Sequence, residues 1–176
     1  MADLIFTANG SLDIKPSPTS SKNDFDFLTG KWNIHNKKLK SRLSNSDEWL
    51  EFDATHEMRT TLRGIGNVEN FYATVDGVPY EGMGIRLFNP ATRLWSIYWS
   101  DSNTGVMENP VVGSYNNNIG NFFGKDVFKN KEIIMQFKFD ATNPDEPVWS
   151  QAFSADNGKT WEWNWYMYFT RRNTNS

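Results

Sequence analysis

Hydrophobic and polar positions alternate along most of this chain, most clearly at its end, in Trp161-Glu162-Trp163-Asn164-Trp165-Tyr166-Met167-Tyr168-Phe169-Thr170-Arg171-Arg172. Trp161, Trp163, Trp165, Met167 and Phe169 share one parity, and Glu162, Asn164, Tyr166, Tyr168 and Thr170 the other. That period of two marks a strand with one buried side. With Val148–Ser154 before it, the segment predicts a long closing hairpin.

About ten such segments separate by alternation and punctuation. They run over Lys31–Leu39, Trp49–Leu62, Asn67–Val75, Glu81–Phe88, Leu94–Ser100, Val111–Tyr115, Gly120–Phe123, Ile133–Phe139, Val148–Ser154 and Thr160–Arg171. The breaks carry turn chemistry: Asp76-Gly77, Asn89-Pro90-Ala91-Thr92, Asn116-Asn117-Asn118, Asn130-Lys131 and Asp156-Asn157-Gly158 supply residues that tolerate positive φ or preset it. No interval shows the 3.6-residue period of a helix of three or more turns. Short, evenly spaced, even-numbered strands predict an all-β fold, a closed antiparallel up-and-down barrel that removes its own edges. Two stacked sheets, which need longer crossovers, are the alternative.

Residues 1–23 are rich in Ser, Thr, Pro and Asn without a sustained period and are expected to form a flexible leader. Asp24-Phe25-Asp26-Phe27-Leu28 reads as one helical turn plugging an apolar opening. A single barrel domain is then expected over 24–172, with a flexible tail at 173–176.

Composition narrows the picture. Aromatics make up 15% of the chain against 38% hydrophobic residues, and there are eight Trp, so large rings supply much of the buried surface. Each Trp brings an indole N–H that needs a partner when buried, which suits a lined cavity as well as a solid core. A net charge of -3 with both signs interspersed argues against nucleic acid or an anionic membrane, which require a concentrated positive field. With no Cys, disulfides and thiolate metal sites are excluded. The longest apolar run near the start, Leu4-Ile5-Phe6, is too short for a signal or a span, so a cytoplasmic protein is expected.

Phe27-Leu28-Thr29-Gly30-Lys31-Trp32 resembles the Gly-x-Trp signature that opens the first strand of lipocalins and their calycin relatives. Together with Trp95-Ser96-Ile97-Tyr98-Trp99-Ser100-Asp101 and Trp149-Ser150-Gln151-Ala152-Phe153-Ser154, it is similar to a bacterial branch of calycin-like domains. The resemblance covers about Asp24 to Arg172 and implies a fold, not an activity. It implies that Gly30 and Trp32 open the closed end and that Arg171, from the last strand, lies over the Trp32 ring as a clasp. The second lipocalin signature, an acidic or Asn residue with Thr-Asp-Tyr, is missing, which tells against extracellular ligand carriage. Ser154-Ala155-Asp156-Asn157-Gly158-Lys159-Thr160-Trp161 also matches the Asp-box of sialidase propellers, but it occurs once and reads as a structural turn.

Candidate chemistry follows from parity. In Trp49–Leu62 the even positions, including Phe52, Ala54, His56 and Met58, are apolar enough to face inward, which puts His56 in the interior as a ligand group, a general base or an ordinary core His. His35 falls on the outer face, and two isolated His give no metal spacing. Tyr80, Gly82, Gly84, Arg86 and Phe88 share a face; facing inward, it makes Arg86 an interior cation that must be paired or meet an anion, while the opposite parity leaves Arg86 in solvent. Trp99, Gln151 and Trp165 complete a mixed pocket.

No nucleophile elbow, Cys or phosphate-cradling loop occurs, so catalytic residues are not assignable. The residues point to a binding module for a small aromatic or amphipathic ligand, an anion among the options, with His56, Tyr80, Arg86, Trp99, Gln151 and Trp165 at the site, more than to an enzyme. A cofactor-free isomerase, decarboxylase or hydrolase in the same cavity, and an interaction protein with a solid barrel, are the alternatives. No cofactor or metal is expected. The expected partner is a small molecule, and a homodimer is compatible with the sequence.

Overall fold

The computed structural model describes residues 6–172. Ten strands follow one another: β1 (Gly30–Leu39), β2 (Trp49–Thr61), β3 (Gly66–Val75), β4 (Val78–Asn89), β5 (Leu94–Asp101), β6 (Val111–Asn116), β7 (Ile119–Phe128), β8 (Lys131–Asp140), β9 (Val148–Ser154) and β10 (Glu162–Arg171). Each pairs antiparallel with its sequence neighbours. β1 also pairs with β10, in register from Trp32↔Arg171 to Lys38↔Trp165, so the sheet closes without an edge. The fold is an all-β barrel, and the stacked-sheet alternative falls. Among the described residues, the helical structure is two single 3₁₀ turns, Asp26–Leu28 and Leu62–Gly64.

The first 3₁₀ turn plugs the end of the barrel where β1 begins. Its Phe25 is buried and packs edge-on against Trp95, Tyr115 and Phe139 at 4.9, 5.1 and 5.3 Å between ring centroids. Such arrangements match the positive edge of one ring to the negative face of another. Trp32, fully buried, donates its indole N–H to the Leu28 carbonyl at 2.8 Å. The Arg171 guanidinium lies 4.3 Å from the centre of the Trp32 ring and donates to the carbonyls of Phe27 (2.9 Å) and Thr29 (3.3 Å). One side chain of the last strand thus ties the plug to the first.

Two expectations are corrected. The inner face of the last strand does not run unbroken from Trp161 to Phe169. Trp163 pairs with Ala152 and Trp165 with Gln151, leaving Asn164 as an extra residue between them. This bulge reverses the parity. Glu162, opposite Phe153, faces in; Trp163 faces out; and Trp161 belongs to the preceding turn, where it packs on Phe123. The expected flexible leader is also tied to the barrel from Ser17 onward. Ser17 bonds Ser114 and the Tyr115 carbonyl, Ser20 donates to the Arg93 carbonyl, Arg93 donates to the carbonyls of Pro18 and Ser20, and the Trp95 indole donates to the Ser21 carbonyl. Polar composition hid this docking because it rests on backbone groups and hydroxyls. Residues 17–21 of the expected leader thus pack on the barrel, while the expected tail at 173–176 lies outside the described residues.

The Asp-box stretch is a structural turn. Asp156 accepts from the Thr160 hydroxyl and N–H at 2.6 and 2.9 Å, Ser154 accepts from the Gly158 N–H at 2.8 Å, and Trp161 donates to the Gly158 carbonyl at 3.0 Å.

Candidate ligand cavity

Odd-numbered strands run away from the plug, so the residues at their ends, with the loops that follow, form the opposite mouth. Behind this mouth lies a cavity of about 280 Å³. That is near the low end of the ~300–1,000 Å³ range of small-molecule sites. Its walls are inward-facing rings, among them Phe71, Trp99, Phe137, Trp149 and Trp165, and the barrel is therefore not filled by its own side chains.

Its floor is a buried charge cluster carried by three adjacent strands. His56 on β2 bonds Glu69 on β3 through Nε2 at 2.6 Å, and Arg86 on β4 donates to the same carboxylate oxygen of Glu69. A second guanidinium N–H of Arg86 reaches Asn67 at 3.1 Å. All four residues are buried. The glycine at position 84 pairs directly with Glu69, and a Cβ there would overlap its carboxylate, so the missing side chain makes the cluster fit. Burial opposes ionisation of Glu69, but the charges of Arg86 and His56 outweigh it and hold the carboxyl well below its ordinary range. Arg86 faces inward and lies 4.9 Å from the centre of the Phe25 ring. Of the two alternatives for an interior Arg86, a partner inside the protein or an anion, the structure has the first. His56 Nδ1 and Arg86 Nε have no hydrogen-bond partner among the described residues.

The remaining sequence candidates line the same cavity. Trp99 stands over Gly82, where any Cβ would overlap its ring. Tyr80 donates to Asp101 at 3.2 Å, and burial, with Asp101 beside it, raises the phenol pKa. Gln151 donates to the Asn164 side-chain carbonyl at 2.9 Å, so the bulge residue orients a cavity amide. Trp165 donates its indole N–H to Asn36 at 3.1 Å and packs edge-on against Trp149 at 5.5 Å. His35 is outside, between Asp53 and Glu51. Among the described residues no group of three or more His, Cys, Asp or Glu is placed to hold a metal.

Sequence reasoning passed over Glu69, Lys38 and Arg42. Lys38 shares the parity of Trp32, Ile34 and Asn36, and its ammonium sits 3.8 Å from the centre of the Trp165 ring. Burial first, and then the charge of Arg42, push it down to about 8. Arg42, from the loop after β1, lies over Phe128 and Phe153 at 4.9 and 5.2 Å. Asp101, Glu108 and Asp126 also line the cavity.

A comparison with protein-family models finds no match, and a comparison with curated proteins finds none. Solved structures do match. One is the S-type phycobiliprotein lyase CPES from Guillardia theta, with a TM-score of 0.59 over 90% of this chain and 96% of that one, at 10% sequence identity. The likeness is one of fold. No helix among the described residues is long and apolar enough to cross a membrane, which says nothing of a barrel.

Proposed function

We propose that this protein is a small-molecule-binding barrel whose ligand is small and aromatic or amphipathic. In this reading Trp99 and Trp165 are the stacking walls, and Tyr80, Gln151 and His56, with the Glu69–Arg86 pair behind it, are the polar handles. The observation that carries it is the cavity itself, an aromatic-walled space with convergent polar groups in the middle of a closed barrel. The likeness in fold to a phycobiliprotein lyase is consistent with a barrel of this type serving a small molecule. A bacterial branch of the calycin-like barrels and a cytoplasmic setting belong to the same reading, on the sequence motifs and composition. The test is native mass spectrometry of protein purified from its own host. A discrete small-molecule mass that dissociates on unfolding and is lost in Trp99→Ala supports the proposal. A bare protein mass, together with no heat of binding for a panel of aromatic amphiphiles, would refute it and favour an interaction protein.

A second reading, cofactor-free acid/base chemistry, has one observation in its favour. His56 is held through Nε2 by a carboxylate while Nδ1 has no protein partner, the arrangement of an oriented imidazole base. Turnover that a native ligand supports in wild type but not in His56→Gln, with binding retained, would favour it.

A further inference from the structure

Resting on the binding reading above, we infer that the ligand is an amphipathic anion held head-outward: its anionic group is taken at the mouth by Lys38 and Arg42, and its aromatic body lies inside. Neither cation has a carboxylate within 4.0 Å among the described residues, although each is half-buried and both line the cavity. Both rest on aromatic walls, Lys38 on Trp165 and Arg42 on Phe128 and Phe153. Their heads are thus fixed where a ring in the cavity would present its substituent. Arg42 is near enough to depress Lys38, and Asp101, Glu108 and Glu162 act on the two cations only from beyond 4.0 Å, so a carboxylate or sulfonate seated between the heads would be their first direct counter-ion.

The acids at the mouth are occupied or exposed. Asp101 accepts from Tyr80 and from the N–H groups of Asn103 and Thr104. Asp126 accepts from the Val127 N–H. The Asp126 side chain is exposed, where water screens it; partial burial, then Asp126 and Asp101 beside it, raise the Glu108 carboxyl; and Glu162, which acts on Arg42 from beyond 4.0 Å, accepts from the Leu43 N–H. Deeper in, Glu69 already takes both Arg86 and His56 on one carboxylate oxygen, so the guanidinium of the floor is matched inside the protein before any ligand arrives. The anion therefore belongs at the mouth.

The experiment is isothermal calorimetry with three probes of one shape: 2-naphthylacetate, its neutral amide 2-naphthylacetamide, and the cation 2-naphthylethylammonium. Wild type should bind the carboxylate at least tenfold more tightly than the amide, and the preference should shrink as salt is raised. Lys38→Met with Arg42→Gln, which keeps much of each side chain's volume, should abolish the preference while leaving the amide's affinity within about twofold. Circular dichroism melting checks that the variant is folded; if it is not, each single substitution should still lower the preference severalfold. Equal affinity for carboxylate and amide, or tighter binding of the cation, overturns the head-outward anion and leaves the binding reading intact. If none of the three binds, this inference is overturned, and the binding reading then rests on the native mass measurement alone.

Discussion

Replacing Glu69 with Gln keeps the shape of the buried cluster and removes its only negative charge. Arg86 and His56 would then share the barrel interior without a counter-ion, and Arg86 cannot shed its proton. Removing one partner of a buried ion pair typically costs ~3–5 kcal/mol, because the remaining charge is left desolvated. For a chain of this size each kcal/mol lowers the melting temperature by about 2–4 °C, so Glu69→Gln should melt roughly 6–20 °C lower. The companion variant Glu69→Leu/Arg86→Met removes both charges and should recover most of that loss, since apolar replacement of a whole buried pair is often close to neutral. pH supplies an independent readout. The native Glu69 pKa lies below its ordinary value, so its contribution is complete above the unfolded value of 4.5 and is lost as pH falls through the native value of about 2. Urea unfolding from pH 7 downward should show that decline in wild type and a flatter profile in Glu69→Gln. A single variant within about 0.5 kcal/mol of wild type at pH 7, well inside the spread of neutral surface changes, would refute the account of the floor as a mutually dependent cluster.

Three further outcomes follow from the packing. Trp32→Ala should cost ~3–5 kcal/mol by urea denaturation, since it empties a fully buried indole site and strands the Arg171 clasp; an unchanged midpoint would sink the closure argument. Deleting residues 1–21 should destabilise by about 2–4 kcal/mol, because the Trp95 indole and several carbonyls lose their partners, and an unchanged melting temperature would show the docked segment to be dispensable. Gly82→Ala should displace the Trp99 ring at a cost of ~1–3 kcal/mol and weaken 2-naphthylacetate severalfold by calorimetry; wild-type affinity would remove Trp99 from the proposed walls.

The barrel was legible because its signal is redundant. Ten alternating segments, each bounded by residues suited to a turn, leave few topologies for a chain without long crossovers, and the observed order is the simplest of them. The inner parity of β4 was legible only by halves: Tyr80, Arg86 and Phe88 share a face with two glycines, and the reason for those glycines lies on neighbouring strands. Gly84 leaves room for Glu69 and Gly82 for Trp99, facts of register that period alone does not carry. Glu69 was hidden in the same way. On β3 it shares a face with Asn67, Phe71 and Ala73, a mixed set that favours neither side until Arg86 appears on the neighbouring strand, opposite Asn67. The bulge at Asn164 was invisible because Trp161, Trp163 and Trp165 keep perfect alternation through it. Tryptophan is apolar enough to suggest burial on either face.

The distribution of polar contacts also shows how one small barrel holds both a stable core and an unfilled space. At the plugged end the rings of Phe25, Trp95, Tyr115, Phe122 and Phe139 pack against one another, and the leader supplies a hydroxyl to the Tyr115 carbonyl and a carbonyl to the Trp95 indole. At the other end the rings face a cavity, and their neighbours are held by single fixed bonds: Trp165 by Asn36, Gln151 by Asn164 and Tyr80 by Asp101. Between the two halves sits the charge cluster, with Arg86 stacked on Phe25 on one side and His56 lining the cavity on the other. A buried ion cluster is a costly way to fill a core, and an apolar trio would pack at least as stably. Its position at the boundary gives it a different use. Hydrogen-bond geometry holds His56 and Arg86 in fixed orientations, which an apolar floor would leave free to collapse into the cavity, so the cluster keeps the upper half of the barrel open and polar at its base.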